Sequence, residues 1–229
     1  MSMAVSSHDG VAPPSPLLLQ PRLRLAVHTP DDPQRAGVQQ FIRTVFAQRY
    51  GADVRQFAPR LVSLQDEGEI VAAAGYRSAD EAPLFLERYL SAPVEALLAS
   101  AGEARPARRS VVEVGNLAAD RAGEGRRLIA LLGPHLAEQG FEWVVGTITT
   151  ELRHLFIRLG VTPLALGTAH AAALGEEGAH WGSYYDHEPV VLAGHLGLAL
   201  RHMARRLGAR SLAPRASRHL ADVTTGGTA

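Results

Sequence analysis

The stretch SVVEVGNLAADRAGEGRRLIALL, residues 110–132, combines an apolar strand pattern, two closely spaced glycines and a helical pattern. Its β-branched residues favour a strand, and the leucines that follow recur at helical spacing. A helix that begins just after Gly123 and Gly125 presents free N–H groups and the positive end of its dipole, which suits a phosphate group. Position 128 is Leu, so the G-x-G-x-x-G pattern of dinucleotide-binding folds is incomplete and the stretch predicts a phosphate site of another kind.

Glu113 lies inside this strand pattern, between two valines. Burial disfavours a charged carboxylate and raises its pKa, so a buried Glu113 can act as a general base near neutral pH. The alternative is a carboxylate at the sheet surface, or one paired with an arginine. Asn116, Leu117 and Ala118 follow, and a β-bulge there would leave a backbone N–H free to polarise a thioester carbonyl.

Other residues are candidate substrate contacts or proton carriers. The candidate substrate contacts are Glu87, Arg88, Arg153 and Trp181, and the candidate proton carriers are His154, Tyr184 and Tyr185. His154 opens a helix directly after a predicted buried strand, where α/β folds place ligands, and a histidine can move protons. Tyrosine phenols can protonate a leaving thiolate. The alternatives are a solvated helix face for the charged residues and core packing for the aromatic ones.

The elements that position these residues alternate along the chain. The patterns predict strands near 22–28, 59–65, 69–77, 110–118, 141–149, 161–166 and 181–192, with helices between most of them. This order predicts a mixed α/β sheet of about seven strands in one domain over residues 21–195. Short connections require antiparallel neighbours among the first three strands.

The chain ends are predicted to differ from this domain. Residues 1–20 and 209–229 have the composition of disordered tails. Residues 196–208 predict a basic amphipathic helix, with Leu196, Leu200, Met203 and Leu207 on one face. This helix, with His195, has three interpretations: it packs on the sheet, it binds an acidic partner such as an acyl carrier protein, or residues 195–207 make peripheral contact with an anionic membrane.

Composition restricts the function classes. The chain has 229 residues, 46% hydrophobic and 20% charged, which is typical of a soluble globular protein. A net charge of zero gives no indication of nucleic-acid binding. No cysteine is present and the ten histidines show no metal-ligand spacing, so no metal is predicted. Residues 1–20 do not resemble a signal peptide and no apolar run reaches ~18 residues, which predicts a cytoplasmic location.

The strand, the turn Asp120-Arg-Ala-Gly123-Glu-Gly125 and the following leucine resemble the acyl-CoA pyrophosphate loop of the GNAT superfamily of acyltransferases. The resemblance implies that Glu113 is the general base and that the Leu117 amide binds the thioester carbonyl. The implied cofactor contacts are Asn116, Leu117, Ala118, Gly123, Gly125, Arg126 and Arg127. Two positions depart from the superfamily pattern. Asp120 stands where many relatives have Gln or Arg, and Phe156 stands where many have the tyrosine that protonates the thiolate. Tyr184, Tyr185 or water would then have to supply that proton.

Four longer segments, APLFLERYLSAPVE, VVEVGNLA, GFEWVVGTITTELRHLFIRLGV and WGSYYDHEPVV, resemble the bacterial thermostable hemolysin family over residues 60–195. This resemblance implies a GNAT-like fold akin to acyl-homoserine-lactone synthases: a mixed, mostly antiparallel sheet with a V-shaped splay and helices on both faces. The implied function is N-acyl transfer from acyl-CoA, or from acyl-phosphopantetheine on a carrier protein, to a small amine or amino-acid-like acceptor. The alternative is a membrane-active or acyl-ligand-binding protein without catalysis.

Overall fold

The computed structural model describes residues 23–158 and 160–211, with side chains up to Arg205. Its strands are β1 (Leu23–His28), β2 (Arg60–Asp66), β3 (Glu69–Ser78), β4 (Val111–Ala119), β5 (Trp143–Ile148), β6 (Leu164–Thr168) and β7 (Val190–His195). Its α-helices are α1 (Arg35–Tyr50), α2 (Val94–Ser100), α3 (Glu124–Glu138), α4 (Thr150–Arg158) and α5 (Leu196–Ser211). Segments Phe85–Tyr89, Arg108–Ser110 and Ala171–His187 are 3₁₀-helical.

The strands form one sheet in the order β1-β2-β3-β4-β5-β7-β6. Neighbouring strands are antiparallel except for β4 and β5, which run parallel. A parallel pair needs a crossover, and α3 supplies it between β4 and β5. The predicted mixed, mostly antiparallel seven-stranded sheet is confirmed.

Helices cover both faces of the sheet, as predicted. On one face, Val38, Ile42 and Phe46 recur at helical spacing along α1 and are buried against the sheet. On the other face, Leu128 and Leu132 of α3 pack with residues of β2, β3 and β4. The alternation of side chains along β4 sends successive residues to opposite faces, so this strand contributes to both cores.

The prediction of a strand over 181–192 is wrong in most of its length. Trp181, Tyr184 and Tyr185 lie in the 3₁₀ segment Ala171–His187, and β7 begins only at Val190. Aromatic residues favour strands, but these rings pack against α1 instead of joining the sheet. The chain turns at Gly182, with φ +53° and ψ −130°, and this conformation breaks any extended run.

The basic helix α5 packs with one face against α3 and β7. Leu196 and Met203 are buried, and Leu200 packs on the same core cluster as α3. The helix runs to Ser211 instead of 208, so the first three residues of the tail predicted over 209–229 are helical. The rest of that tail, the predicted tail over 1–20 and the side chain of Leu207 lie outside the described residues. Three apolar residues of α5, Leu196, Leu200 and Met203, therefore face the core, whereas Leu198 is exposed. None of the described helices is long and apolar enough to cross a bilayer.

Candidate functional site

The parallel strands β4 and β5 pair over only three residues each. The pairs are Val111 with Trp143, Val112 with Val144, and Glu113 with Val145. Beyond them β4 continues to Ala119 and β5 to Ile148 without pairing to each other. The sheet therefore opens into a V-shaped gap, which confirms the predicted splay.

Gly146 lies at the apex of this gap, directly after the last paired residue of β5. A Cβ atom at this position would lie 2.7 Å from the carbonyl oxygen of Val114 on β4. That separation is too short for a side chain, so glycine allows the two backbones to approach where pairing ends.

The substitution Gly146→Ala is expected to destabilise the protein by about 1–3 kcal/mol, because the added methyl group must displace the backbone of β4. The free energy of unfolding from urea denaturation measures this effect. Gly194→Ala is the matched control on the neighbouring strand β7, because a Cβ there meets nothing within 4 Å. Equal losses in the two variants would contradict the close approach at the apex.

A β-bulge interrupts β4 beside the gap. The pairing of β3 with β4 shifts between Ala73 and Gly75, and Asn116 adopts a left-handed conformation with φ +51°. The predicted bulge at 116–118 is confirmed, since a bulge removes a residue from the ladder and asparagine tolerates positive φ. The Oδ1 atom of Asn116 accepts a hydrogen bond from the Ala58 N–H at 3.3 Å, so this side chain holds the bulge in place.

Arg35 fixes the loop that supports Asn116. Its guanidinium donates hydrogen bonds to the carbonyl oxygens of His28 (3.1 Å), Pro59 (3.0 Å) and Ala58 (2.7 Å). The sequence analysis did not select this residue. An arginine in the first turn of a helix, where acidic residues are preferred, was the signal that could have identified it.

A cavity of about 230 Å³ extends through the gap to both faces of the sheet. On the α1 face it forms an aromatic compartment, lined by Phe46, Tyr50, Phe85, Tyr89, Trp181, Tyr184 and Tyr185. On the α3 face it forms an aliphatic compartment, lined by Ile129, Leu132, Gly133, Leu136, Leu196, Ala199, Leu200 and Met203. The cavity thus joins two chemically different spaces at the unpaired edges of β4 and β5.

Glu113 lines this cavity and is 8% exposed. Its Oε2 accepts the Phe85 N–H at 2.8 Å and its Oε1 accepts the Leu86 N–H at 3.0 Å. Burial raises the pKa of Glu113 above the usual value of a glutamate, while these N–H groups and the charge of Arg77 oppose the shift. A carboxylate in this state can accept a proton near neutral pH.

Arg77 accompanies Glu113 in the cavity, and the sequence analysis missed it. Its Nε lies 3.5 Å from Oε2 of Glu113, and its side chain is partly exposed. The signal was an arginine near the end of the apolar strand β3, EIVAAAGYRS. The pair places a cation and a carboxylate side by side at the aromatic compartment, where they can bind a ligand that carries both charges.

The structure brings the predicted aromatic residues together in the aromatic compartment. The Tyr184 hydroxyl donates a hydrogen bond to the Thr147 carbonyl on β5 at 3.1 Å, and the hydroxyls of Tyr185 and Tyr89 are 2.6 Å apart. Burial raises the pKa of both Tyr184 and Tyr185, but the hydrogen bond from Tyr89 opposes the shift at Tyr185. Trp181 packs against the rings of both tyrosines.

Nine predicted site residues do not line the cavity. Four of them belong to the glycine turn before α3, and the other five are Glu87, Arg88, Ala118, Arg153 and His154. Arg153 and His154 lie on the exposed side of α4, and Ala118 is buried under α1. Arg88 pairs with Glu177. Glu87 accepts N–H hydrogen bonds from Leu84 and Val94 and pairs with Arg108, so it holds its own segment together.

The glycine turn precedes α3, as predicted, but lies outside the cavity lining. Gly123 has φ +98°, and the helix begins at Glu124. Glu124 pairs with Arg127 at 3.1 Å through one oxygen, and its Oε2 is buried without a hydrogen-bond partner in the described residues. The first helical turn leaves amides free for an anion, although the carboxylates of Glu124 and Asp120 oppose its charge.

Metal chemistry has no candidate position in the described part of the chain. No group of three or more His, Cys, Asp or Glu residues is arranged there to hold a metal ion. The site is therefore described by its carboxylate, its arginine, its tyrosines and its backbone amides.

Comparison with known proteins yields one family and several solved structures. A family model described as thermostable hemolysin matches residues 28–200. No curated protein matches the sequence.

Three of the similar solved structures illustrate the shared fold. The AHL synthase LasI is 16% identical with a TM-score of 0.52, over 78% of this chain and 93% of LasI. FeeM, an N-acyl amino acid synthase from uncultured soil microbes, is 15% identical with a TM-score of 0.56, over 82% and 99%. BjaI, a CoA-dependent acyl-homoserine lactone synthase solved with SAM and isopentyl-CoA, is 14% identical with a TM-score of 0.56, over 81% and 90%. At identities this low, the similarity shows that this chain has the same GNAT-like fold and nothing more.

Proposed function

Since the chain belongs to the thermostable hemolysin family and shares its fold with the synthases above, we propose that it is an N-acyltransferase. The donor is a pantetheine thioester, either acyl-CoA or an acylated carrier protein, and the acceptor is a small amine or amino-acid-like molecule. One observation carries the proposal: a bulged strand and a buried carboxylate meet at the gap between β4 and β5.

The reaction proceeds by attack of the acceptor amine on the thioester carbonyl carbon. Glu113 takes the amine proton, directly or through a water molecule, as the C–N bond forms. The Leu117 amide, at the bulge and on the cavity wall, stabilises the oxyanion of the tetrahedral intermediate. The C–S bond then breaks, and the amide and the free thiol are the products.

Tyr185 is the better candidate of the two tyrosines to protonate the departing thiolate. The hydroxyl hydrogen of Tyr184 is held by the Thr147 carbonyl. The hydroxyl of Tyr185 pairs with that of Tyr89, so a proton that leaves Tyr185 can be replaced along this pair. His154 is exposed on α4 and takes no part in this scheme.

Arg77 supports an acceptor that carries a carboxylate. A guanidinium binds a carboxylate through parallel hydrogen bonds, and Arg77 lines the same wall as Glu113. An amino acid bound here would present its carboxylate to Arg77 and its amine to Glu113. The rings of the aromatic compartment would contact its side chain.

The turn before α3 is the candidate site for the donor phosphates. Gly123, Gly125, Arg126 and Arg127 would contact them through the first turn of the helix, next to the end of β4 that does not pair with β5. The negative charges of Asp120 and Glu124 lower the affinity for a doubly charged pyrophosphate. The donor test therefore covers acylated carrier protein as well as acyl-CoA.

A donor panel tests the proposal directly. Acyl-CoAs, free coenzyme A and acylated carrier protein are each added to the protein, and thermal shift and mass spectrometry report binding and transfer. A donor at about 100 times its Kd should stabilise the protein by about 2.7 kcal/mol. For a chain of this size that corresponds to a Tm increase of about 5–10 °C. No stabilisation and no acyl transfer across the panel would contradict the proposal.

The substitution Arg77→Gln is expected to move the acid limb of the pH–kcat profile to higher pH. Activity requires ionised Glu113, whose pKa burial already raises, and the positive charge of Arg77 favours the ionised form. Loss of that charge raises the pKa of Glu113 further. As the pH is lowered, the variant therefore loses activity at a higher pH than the parent protein does. The KM for a carboxylate-bearing acceptor should also increase, and an unchanged acid limb would contradict the role of Glu113.

A further inference from the structure

We propose that α5 forms the end wall of an acyl-chain chamber and that Ala199 and Met203 set the longest chain accepted. The inference rests on the proposed function in one respect, since it identifies the occupant of the aliphatic compartment as the acyl group of the donor. It adds a specificity role for the helix that follows the last strand.

The lining of the aliphatic compartment selects hydrocarbon. The side chains that α3 and α5 contribute are all aliphatic or thioether, and none can ionise or donate a strong hydrogen bond. A polar acceptor placed here would lose its hydrogen bonds with water without replacement. The aromatic compartment, with Arg77 and Glu113, takes the acceptor, so the acyl chain extends from the gap toward α3 and α5.

The close contact between α3 and α5 ends this compartment. A Cβ atom at Gly133 of α3 would lie 3.0 Å from a Leu200 methyl carbon, so the helices touch there without space for a ligand. Met203 is 8% exposed and packs with Val161, next to Phe156 of α4. His202 Nδ1 is 2.9 Å from the Gly160 carbonyl oxygen, which attaches α5 to the end of α4.

The cavity volume limits the length of the chain. The whole cavity is about 230 Å³ and serves the reacting groups as well as the acyl chain. Pockets for drug-sized ligands occupy ~300–1,000 Å³, so this space suits a short or medium acyl chain. Ala199 is the smallest α5 side chain on the lining and Met203 is a flexible one, so these two positions have the most scope to change its depth.

Variants at these positions test the assignment against a donor series from butanoyl to tetradecanoyl. Ala199→Leu should lower kcat/KM for the longest accepted chains by about tenfold or more, the effect of a single methylene in a filled pocket. Turnover of the butanoyl donor should stay within about threefold. Met203→Ala should extend the accepted length, and Leu198→Ala, on the exposed side of α5, should leave the profile unchanged.

A binding measurement separates this inference from the proposed function. Saturated fatty acids of increasing length compete with a fluorescent fatty acid for each variant, without a transfer reaction. A length limit that moves with Ala199→Leu and Met203→Ala supports the chamber, whether or not acyl transfer is found. Transfer with a length profile that neither variant alters overturns the chamber and leaves the transferase proposal standing. Absence of both transfer and fatty-acid binding overturns both proposals.

Discussion

The substitution Glu113→Gln is expected to lower kcat by about 10²–10⁴, the usual effect of removing a general base. The amide cannot accept the proton of the acceptor amine, whereas the size of the side chain is preserved. KM for the acceptor should change less than kcat, because Arg77 still binds the acceptor carboxylate. Steady-state kinetics at saturating donor measure both constants.

The same substitution carries a structural cost, because Glu113 also caps the 3₁₀ segment Phe85–Tyr89. Both carboxylate oxygens accept backbone N–H groups, and a glutamine can accept only one of them. One buried N–H is then left without a partner, at a cost of about 1–3 kcal/mol of stability. The variant must therefore be assayed at a temperature where unfolding measurements show it to be folded.

Glu87→Gln is the matched control for this structural cost. Glu87 also accepts two backbone N–H groups, from Leu84 at 2.9 Å and from Val94 at 3.1 Å, but it does not line the cavity. We expect a similar loss of stability with kcat near that of the parent protein. A kcat for Glu113→Gln as high as that of the control would assign Glu113 a capping role alone.

The substitution Gly182→Ala is expected to cost about 2–6 kcal/mol of stability. About 1–3 kcal/mol comes from overpacking, because the added Cβ would overlap the Tyr50 carbonyl oxygen and lie 2.8 Å from the carbonyl carbon of Gly51. A further ~1–3 kcal/mol comes from backbone strain at φ +53° and ψ −130°. The expected outcome is a Tm lower by about 5 °C or more, or loss of the folded protein.

Gly102→Ala separates the two contributions. Gly102 also has positive φ, +93°, but a Cβ there meets nothing within 4 Å. Because the added Cβ introduces only backbone strain, this control is expected to lose about 1–2 kcal/mol of stability. Denaturation of both variants in urea measures the difference, and equal losses would show that the contact of Gly182 with the end of α1 is not tight.

The strand that carries the site was predictable because its signals are local. The valines of β4, the asparagine that tolerates positive φ and the glycine turn before α3 all lie between residues 110 and 125. Each has a short-range physical cause: β propensity, backbone freedom or helix initiation. The bulge was found where it was expected, whereas the splay was expected only from the family resemblance.

The partners of that strand were not predictable, because they come from distant parts of the chain. In the neighbouring sequence, Arg77 and Arg35 are ordinary charged residues of a strand and a helix. Only their contacts in the folded protein reveal their roles. The aromatic run near Trp181 has strand propensity, but it packs on α1, and Ser183 bonds to Tyr50 at a separation of 133 residues. Tertiary packing therefore decided against local preference.

The three residue pairs between β4 and β5 are also the only backbone pairing between two antiparallel halves of the described sheet, β1–β4 and β5–β7. Across this junction the halves depend on side-chain packing, including the contact of α3 with α5. Substitutions between these helices can therefore change the relative tilt of the halves without disturbing strand pairing within either half. The width of the gap can therefore change through helix packing while the ladder of each half is preserved.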